Sequence, residues 1–202
     1  ASHKLIGSMT SKRLLRLFAF GLLAAGCSSH APQLQNFTAD QLMQRGMTAL
    51  QRHKWTDAVE AFEQFTLQFP TNPRAQEARF RLGEAYMGKK EYITASTELS
   101  KLASDYPAGN YADDARFKIC EAYYKLSPKS QLDQQYTKAA VDHCQAPEAY
   151  YPNSEYVAET RRMAQEMINK LADKDYRTGE YYYKRGAVDS AILYYESTLT
   201  DY

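Results

Sequence analysis

The chain has 202 residues, with 25 Lys and Arg against 24 Asp and Glu, 44% hydrophobic residues, and only 9 Gly and 7 Pro. A net charge of +1 with the signs interspersed argues against a nucleic-acid binder working by phosphate neutralisation; three Cys are too few for a disulfide scaffold, and no internal stretch approaches the roughly 20 apolar residues of a transmembrane helix. Few glycines and no Gly-rich loop disfavour a nucleotide-binding α/β enzyme, and the composition, with 17 Tyr against 8 Phe and one Trp, points to helices.

Residues 1–8 precede Met9 and read as an upstream, non-native segment. From Met9, the basic Lys12, Arg13 and Arg16 lead into an apolar run from Leu17 to Gly26 that ends Leu23-Ala24-Ala25-Gly26-Cys27. A basic patch, a short apolar run and small residues make a secretion signal, here residues 9–26, too short to serve as a stable anchor. The residues before Cys27 resemble a bacterial lipobox, with Ala24 where Leu is preferred and Leu23 one place earlier. That resemblance implies a covalent lipid of the palmitate class on the sulfur and amino terminus of Cys27. Ser28 resembles outer-membrane lipoproteins, Asp at that place marking inner-membrane retention in enteric bacteria. The alternative is an ordinary secreted protein with a coincidental Cys. Cleavage removes Lys4, Lys12, Arg13 and Arg16 and no acid, taking the net charge from +1 to −3. Residues 27–37 lack periodicity and read as a lipidated tether, leaving an anchored but soluble protein.

The remainder, residues 38–202, is periodic. Gly46, Gly83 and Cys120 lie 37 residues apart, with Ala58 and Ala95 twelve residues after the two glycines and Pro70 and Pro107 twenty-four after them. Apolar residues recur at helical spacing as Ala58, Phe62, Phe65, Phe69 and as Ala95, Leu99, Leu102, Tyr106, each series closed by a Pro that cannot continue the helix. The first half of each unit is also helical, Leu42 to Ala49 matching Arg79 to Tyr86 and Arg116 to Tyr123; Thr38 with Gln41 predicts a capping box for the first helix. A helix pair of this kind cannot bury its apolar face alone, so the units must stack. Units fall at about 38–73, 74–110, 111–153 and 154–202.

The third unit is stretched by the loop from Leu126 to Asp133, its second helix carrying Ala140, Cys144, Pro147 and Tyr151 before Pro152. Asn153-Ser154 is expected to cap a helix over about Glu155–Leu171 that continues or bends into Lys174–Arg185. Gly179, Ala191, Tyr195, Thr198 and Tyr202 then fall at the repeat offsets of a final pair. The period puts Pro at the next place, so this unit is expected to be incomplete and the full-length protein to continue.

Small residue, Ala, large residue and Pro at these offsets resemble the tetratricopeptide repeat, with Arg79 and Arg116 in place of the usual Trp. The resemblance implies an all-α solenoid, a right-handed superhelix of antiparallel helix pairs. Two stretches carry it further: Tyr123 to Pro128 with Gln131 to Gln134, and Tyr151 to Tyr156 running through Lys170-Leu171-Ala172 to Tyr181-Tyr182-Tyr183-Lys184-Arg185-Gly186-Ala187. These resemble the outer-membrane β-barrel assembly lipoprotein family, BamD or ComL. What this implies is a non-enzymatic periplasmic subunit of the barrel-assembly (BAM) complex, lipid-anchored to the outer membrane. Its implied partners are the polypeptide-transport-associated domains of the barrel insertase, other assembly lipoproteins and unfolded outer-membrane proteins. The alternative is another periplasmic repeat adaptor lipoprotein, such as the Tol-Pal-associated coordinator of envelope constriction, which the stretched third unit and the Lys-Leu-Ala to Tyr-Tyr-Tyr run disfavour. The resemblance implies a further C-terminal repeat that contributes to partner contacts, expected to follow residue 202 in the full-length protein.

Tetratricopeptide solenoids present one face of each first helix to extended peptides. Mapping that face gives Asp40, Met43, Met47 and Leu50; then Glu77, Phe80, Glu84 and Met87; then Asp114, Phe117, Glu121 and Tyr124. A carboxylate clamp would need Lys, Arg or Asn where Met43, Met47, Phe80, Glu84, Phe117 and Glu121 stand, so the groove is expected to prefer apolar and aromatic side chains, with Met able to repack. Met43, Met47, Phe80, Glu84, Met87, Phe117, Glu121 and Tyr124 are the peptide-groove candidates; for Phe80 and Phe117, helix-packing core is an equal reading.

Cys120 and Cys144 fall on facing helices of one unit, where they form either a disulfide or two small buried hydrophobes. His3, His30, His53 and His143 show no metal-ligand spacing. The Tyr181 to Tyr183 and Tyr194-Tyr195 clusters read as helix packing, and Arg161-Arg162 and Lys184-Arg185 as solvated or interface charges. With no Ser/His/Asp arrangement, paired-carboxylate motif or phosphate loop, no catalytic site, metal or cofactor beyond the lipid on Cys27 is expected, and no nucleic-acid partner.

Overall fold

The computed structural model describes residues 36–202, and within them every regular element is a helix. In order these are α1 (Ala39–Gln51), α2 (Trp55–Gln68), α3 (Ala75–Gly88), α4 (Tyr92–Asp105), α5 (Ala112–Leu126), α6 (Gln135–Tyr150), α7 (Val157–Lys184) and α8 (Val188–Thr200). Each packs chiefly on the helices before and after it in the chain, the pattern of stacked helical hairpins. The expected signal segment, Cys27, most of the tether, His3 and His30 lie outside the described residues. No described helix is long and apolar enough to cross a membrane.

The helix ends follow from local chemistry. Thr38 Oγ1 accepts from the Gln41 amide at 3.3 Å while Gln41 Oε1 accepts from the Thr38 amide at 2.8 Å, the capping box expected at α1. Phe69, Tyr106 and Tyr151 cap the ends of α2, α4 and α6 with φ of −128°, −134° and −136°. Each precedes a Pro, whose ring disfavours the helical backbone at the residue before it. These three aromatic residues therefore sit at equivalent places. The links into α2, α4 and α8 turn sharply through one left-handed residue each: His53 (φ 55°), Lys90 (φ 64°) and Gly186 (φ 75°).

Within each pair the helices close on one contact. A Cβ added to Gly46, Gly83 or Gly179 would fall 2.5, 2.6 or 2.7 Å from the side chain of Phe62, Leu99 or Tyr195 respectively. In the third unit the equivalent residues are Cys120 and Cys144, joined as a disulfide with Cα atoms 4.6 Å apart.

One expectation about the fourth unit needs correction, the cap at Asn153-Ser154; of the two courses open to the helix that follows, it continues. The helix after Pro152 begins at Val157 with Tyr156 as its N-cap and no side-chain cap; Ser154 Oγ instead accepts from the Tyr156 amide at 3.1 Å, a local turn. The helix then runs as a single element of 28 residues, since no Gly or Pro interrupts it near Leu171–Lys174. The stretched loop before α6 is tied down by Gln134, whose Nε2 donates to the carbonyls of Lys129 and Leu132, both at 2.9 Å, and whose Oε1 accepts from Thr137 at 2.6 Å. From α7, Lys170 Nζ donates to Ser127 Oγ and Lys174 Nζ to the Leu132 carbonyl, each at 2.8 Å.

Candidate functional site

Because α1, α3 and α5 are the first helices of successive units, the same residue offsets recur side by side along one face. A cleft of about 480 Å³ opens there, lined by Met47, Leu50 and Gln51 of α1, Trp55 at the head of α2, Arg81, Glu84, Met87 and Gly88 of α3, and Lys118 and Glu121 of α5. Met47, Leu50, Trp55 and Met87 are all half-buried, so their apolar surface stays available. The Trp55 indole lies against Gly88, where a Cβ would collide with it, so the glycine is needed for the close approach.

The polar wall is built twice from one pattern. Arg81 pairs with Glu84, and Lys118 with Glu121, each at 2.6 Å and one turn apart. Arg81 also lies 5.3 Å from the Phe80 ring centroid, and Lys118 the same distance from that of Phe117. Burial of the Arg81 guanidinium works against its charge, but the hydrogen bond and negative charge of Glu84 outweigh it and hold its pKa above the ordinary value. The wall thus carries internally neutralised charges, while the apolar wall is open. Such a cleft can seat apolar side chains and offer hydrogen bonds to a backbone; it holds no nucleophile paired with a base. Among the described residues no group of three His, Cys, Asp or Glu side chains is placed to hold a metal ion.

Of the groove candidates, the structure brings Met47, Glu84, Met87 and Glu121 together in this cleft. Met43 is not presented: it is 1% exposed, in the core between the first two units. Phe80 is likewise core, 5% exposed and stacked on Tyr111 at 5.2 Å. Phe117 is half-buried and stacks on Tyr156 at 4.3 Å, and the Tyr156 hydroxyl donates to Asp114 at 2.6 Å. Tyr124 packs on the core around the disulfide and donates its hydroxyl to Glu166. Position-by-position mapping missed Arg81, Lys118 and Trp55; the first two were visible as cations three residues before Glu84 and Glu121, whereas Trp55 belongs to a second helix and no first-helix pattern reaches it.

A family model described as YfiO, outer membrane lipoprotein, matches residues 35–202. The outer membrane protein assembly factor BamD of Vibrio cholerae is 24% identical over 91% of this chain and 80% of its own length. That of Caulobacter vibrioides is 25% identical over 83% of this chain, which spans 56% of that relative. Among solved structures, the TPR2AB domain of yeast Sti1 in its pHSP90 complex aligns over 80% of this chain and 63% of its own, with a TM-score of 0.52 and 16% identity, a likeness of fold alone. The helix pairs are thus those of an all-α tetratricopeptide-repeat solenoid, and, with the family model spanning all the described helices, the chain belongs to the YfiO family of outer membrane lipoproteins.

Proposed function

We propose that this chain is a non-enzymatic, lipid-anchored subunit of the outer-membrane barrel-assembly machinery, held at the periplasmic face through lipid on Cys27. Its cleft takes apolar side chains of unfolded barrel precursors, and other surfaces contact the periplasmic domains of the barrel insertase and companion lipoproteins. Family membership and two relatives named as assembly factors support the first part. The observation that carries the second is the apolar group of Met47, Leu50, Trp55 and Met87 opening beside two neutralised ion pairs.

The magnitudes suit a transient hold. One aromatic anchor burying about 150–250 Å² gains about 4–6 kcal/mol at 25 cal/mol per Å². Ordering and association costs then leave a complex of about micromolar strength or weaker, as suits a chain that must be handed on. Two experiments test the reading separately. Co-purification of the lipidated protein from outer membranes should recover the barrel insertase, and its absence would remove the subunit assignment. Titration of an apolar, aromatic-rich precursor peptide into Leu50→Glu and Met87→Glu should show affinity at least about tenfold weaker; unchanged affinity in both removes the cleft. Phe80→Ala is a poor probe, because Phe80 is core.

A further inference from the structure

The second half of α7 has a face that no helix covers. In α3 and α5 the residues facing the preceding pair are Ala78, Leu82 and Ala85, and Ala115, Ile119 and Ala122, all buried. The equivalent residues of α7, at the offsets set by Gly83 and Gly179, are Lys174, Thr178 and Tyr181. They are polar because α7 does not turn: 28 residues span about 42 Å against about 24 Å for the 16 residues of α6. Its first half already fills the place against α5 and α6, through Met163 and Ala164. The result is a notch of about 280 Å³ lined by Lys174, Arg177, Thr178, Tyr181 and Tyr182, with Ser130 and Gln131 of the stretched loop opposite.

Apart from Thr178, whose hydroxyl donates to the Lys174 carbonyl at 2.8 Å, the polar groups named there are donors with capacity to spare, and none is an acid. Arg177 engages Asp173 only through Nε, at 2.7 and 2.8 Å, leaving both terminal nitrogens, the fork that grips a carboxylate. Lys174 uses one of its three protons on the Leu132 carbonyl. The hydroxyls of Tyr181 and Tyr182 have no partner among the described residues, and Arg185 lies over the Tyr181 ring at 4.3 Å, adding positive charge to the rim. We propose that this notch docks an acidic peptide segment, with one carboxylate on Arg177 and Lys174 and the neighbouring aromatic or apolar side chain against Tyr181. Two lining cations and a ring suit a single carboxylate beside an apolar group, whereas an anionic membrane surface calls for about four to eight clustered cations. The site is separate from the cleft on α1, α3 and α5 and does not depend on what that cleft binds.

The probe is a fluorescently labelled decapeptide of alternating aspartate and tyrosine, titrated into the full chain, beside its counterpart with asparagine for aspartate. The acidic peptide should bind at least about tenfold more tightly and weaken with added salt. Arg177→Gln and Lys174→Gln should each remove most of that preference, Arg177→Lys should restore part of it, and Lys101→Gln, which removes an exposed cation of α4 outside both sites, should leave it unchanged. Circular dichroism melts verify that the variants remain folded. Equal binding of the two peptides, a preference surviving both glutamine variants, or retention on phosphatidylserine vesicles in place of the peptide would overturn the proposal.

Discussion

Cys120 and Cys144 are bonded across α5 and α6 at the two positions that a glycine and a bulky side chain fill in the other units. A glycine lets the partner side chain fill the space between the helices; two small sulfur residues leave that space to the bond. Met163 Sδ lies 3.5 Å from Cys120 Sγ, and both cysteines are almost wholly buried, so the bond is packed on all sides. It closes a sequence separation of 24 residues that includes the stretched loop.

Reduction should therefore loosen the third unit more than its size suggests. For a closed loop of this length the chain-entropy model gives about 3–4 kcal/mol. Denaturant melts with and without a thiol reductant should differ by this order, whereas Cys120→Gly combined with Cys144→Leu, the solution used by Gly83 and Leu99, should melt alike in both. A native chain whose midpoint ignores the reductant would contradict this.

Gly83→Ala should destabilise despite the better helix propensity of alanine. The new methyl would stand 2.6 Å from the Leu99 side chain in a closed core, an overpacking worth about 1–3 kcal/mol, against a propensity gain of about 0.5–1 kcal/mol. In a Leu99→Ala background, which vacates that space, the same substitution should be neutral or stabilising. Chemical denaturation of the four-member cycle measures the coupling.

His53 and Lys90 occupy left-handed backbone that the last unit gives to Gly186. Lys90→Gly should stabilise by a few tenths to about 1 kcal/mol, the left-handed penalty less the unfolded-state entropy of glycine. Gly186→Ala should destabilise, although nothing surrounds it. Thermal melts of both variants check the opposite signs.

His143 stacks on Tyr123 at 4.2 Å. Burial, with Arg116 nearby, lowers its pKa below the ordinary value although Asp142 opposes this. The folded state thus binds a proton less readily than the unfolded chain. Its neutral imidazole costs nothing above about pH 6.5, and stability is lost as pH falls below that unfolded value. Melting temperature should drop between neutral pH and about pH 5.5, and drop less in His143→Gln.

The helix pairs were legible because glycine, alanine and proline act locally: Gly46 and Gly83 mark close approaches, Pro70 and Pro107 mark ends, and the offsets repeat. The peptide-facing surface was legible only in part. Met47 and Met87 face the cleft, but Phe80, on the same helix face by spacing, turns to Tyr111 at the start of the next unit. Sequence offset sets the side of a helix; which neighbour reaches that side depends on how the units stack. The length of α7 was underdetermined because Leu171-Ala172-Asp173-Lys174 neither breaks nor favours a bend. The disulfide and the two-thiol reading shared one geometry of facing positions, and only the bonded sulfurs distinguish them.

The central claim, that the cleft holds an unfolded polypeptide through its apolar wall, is tested most directly by the methionines. With the methyl groups isotope-labelled, titration of an apolar, aromatic-rich precursor peptide should shift the resonances of Met47 and Met87 together, while those of Met43 and Met163, both buried, hold still. Saturable binding with Met47 and Met87 unmoved would contradict the account.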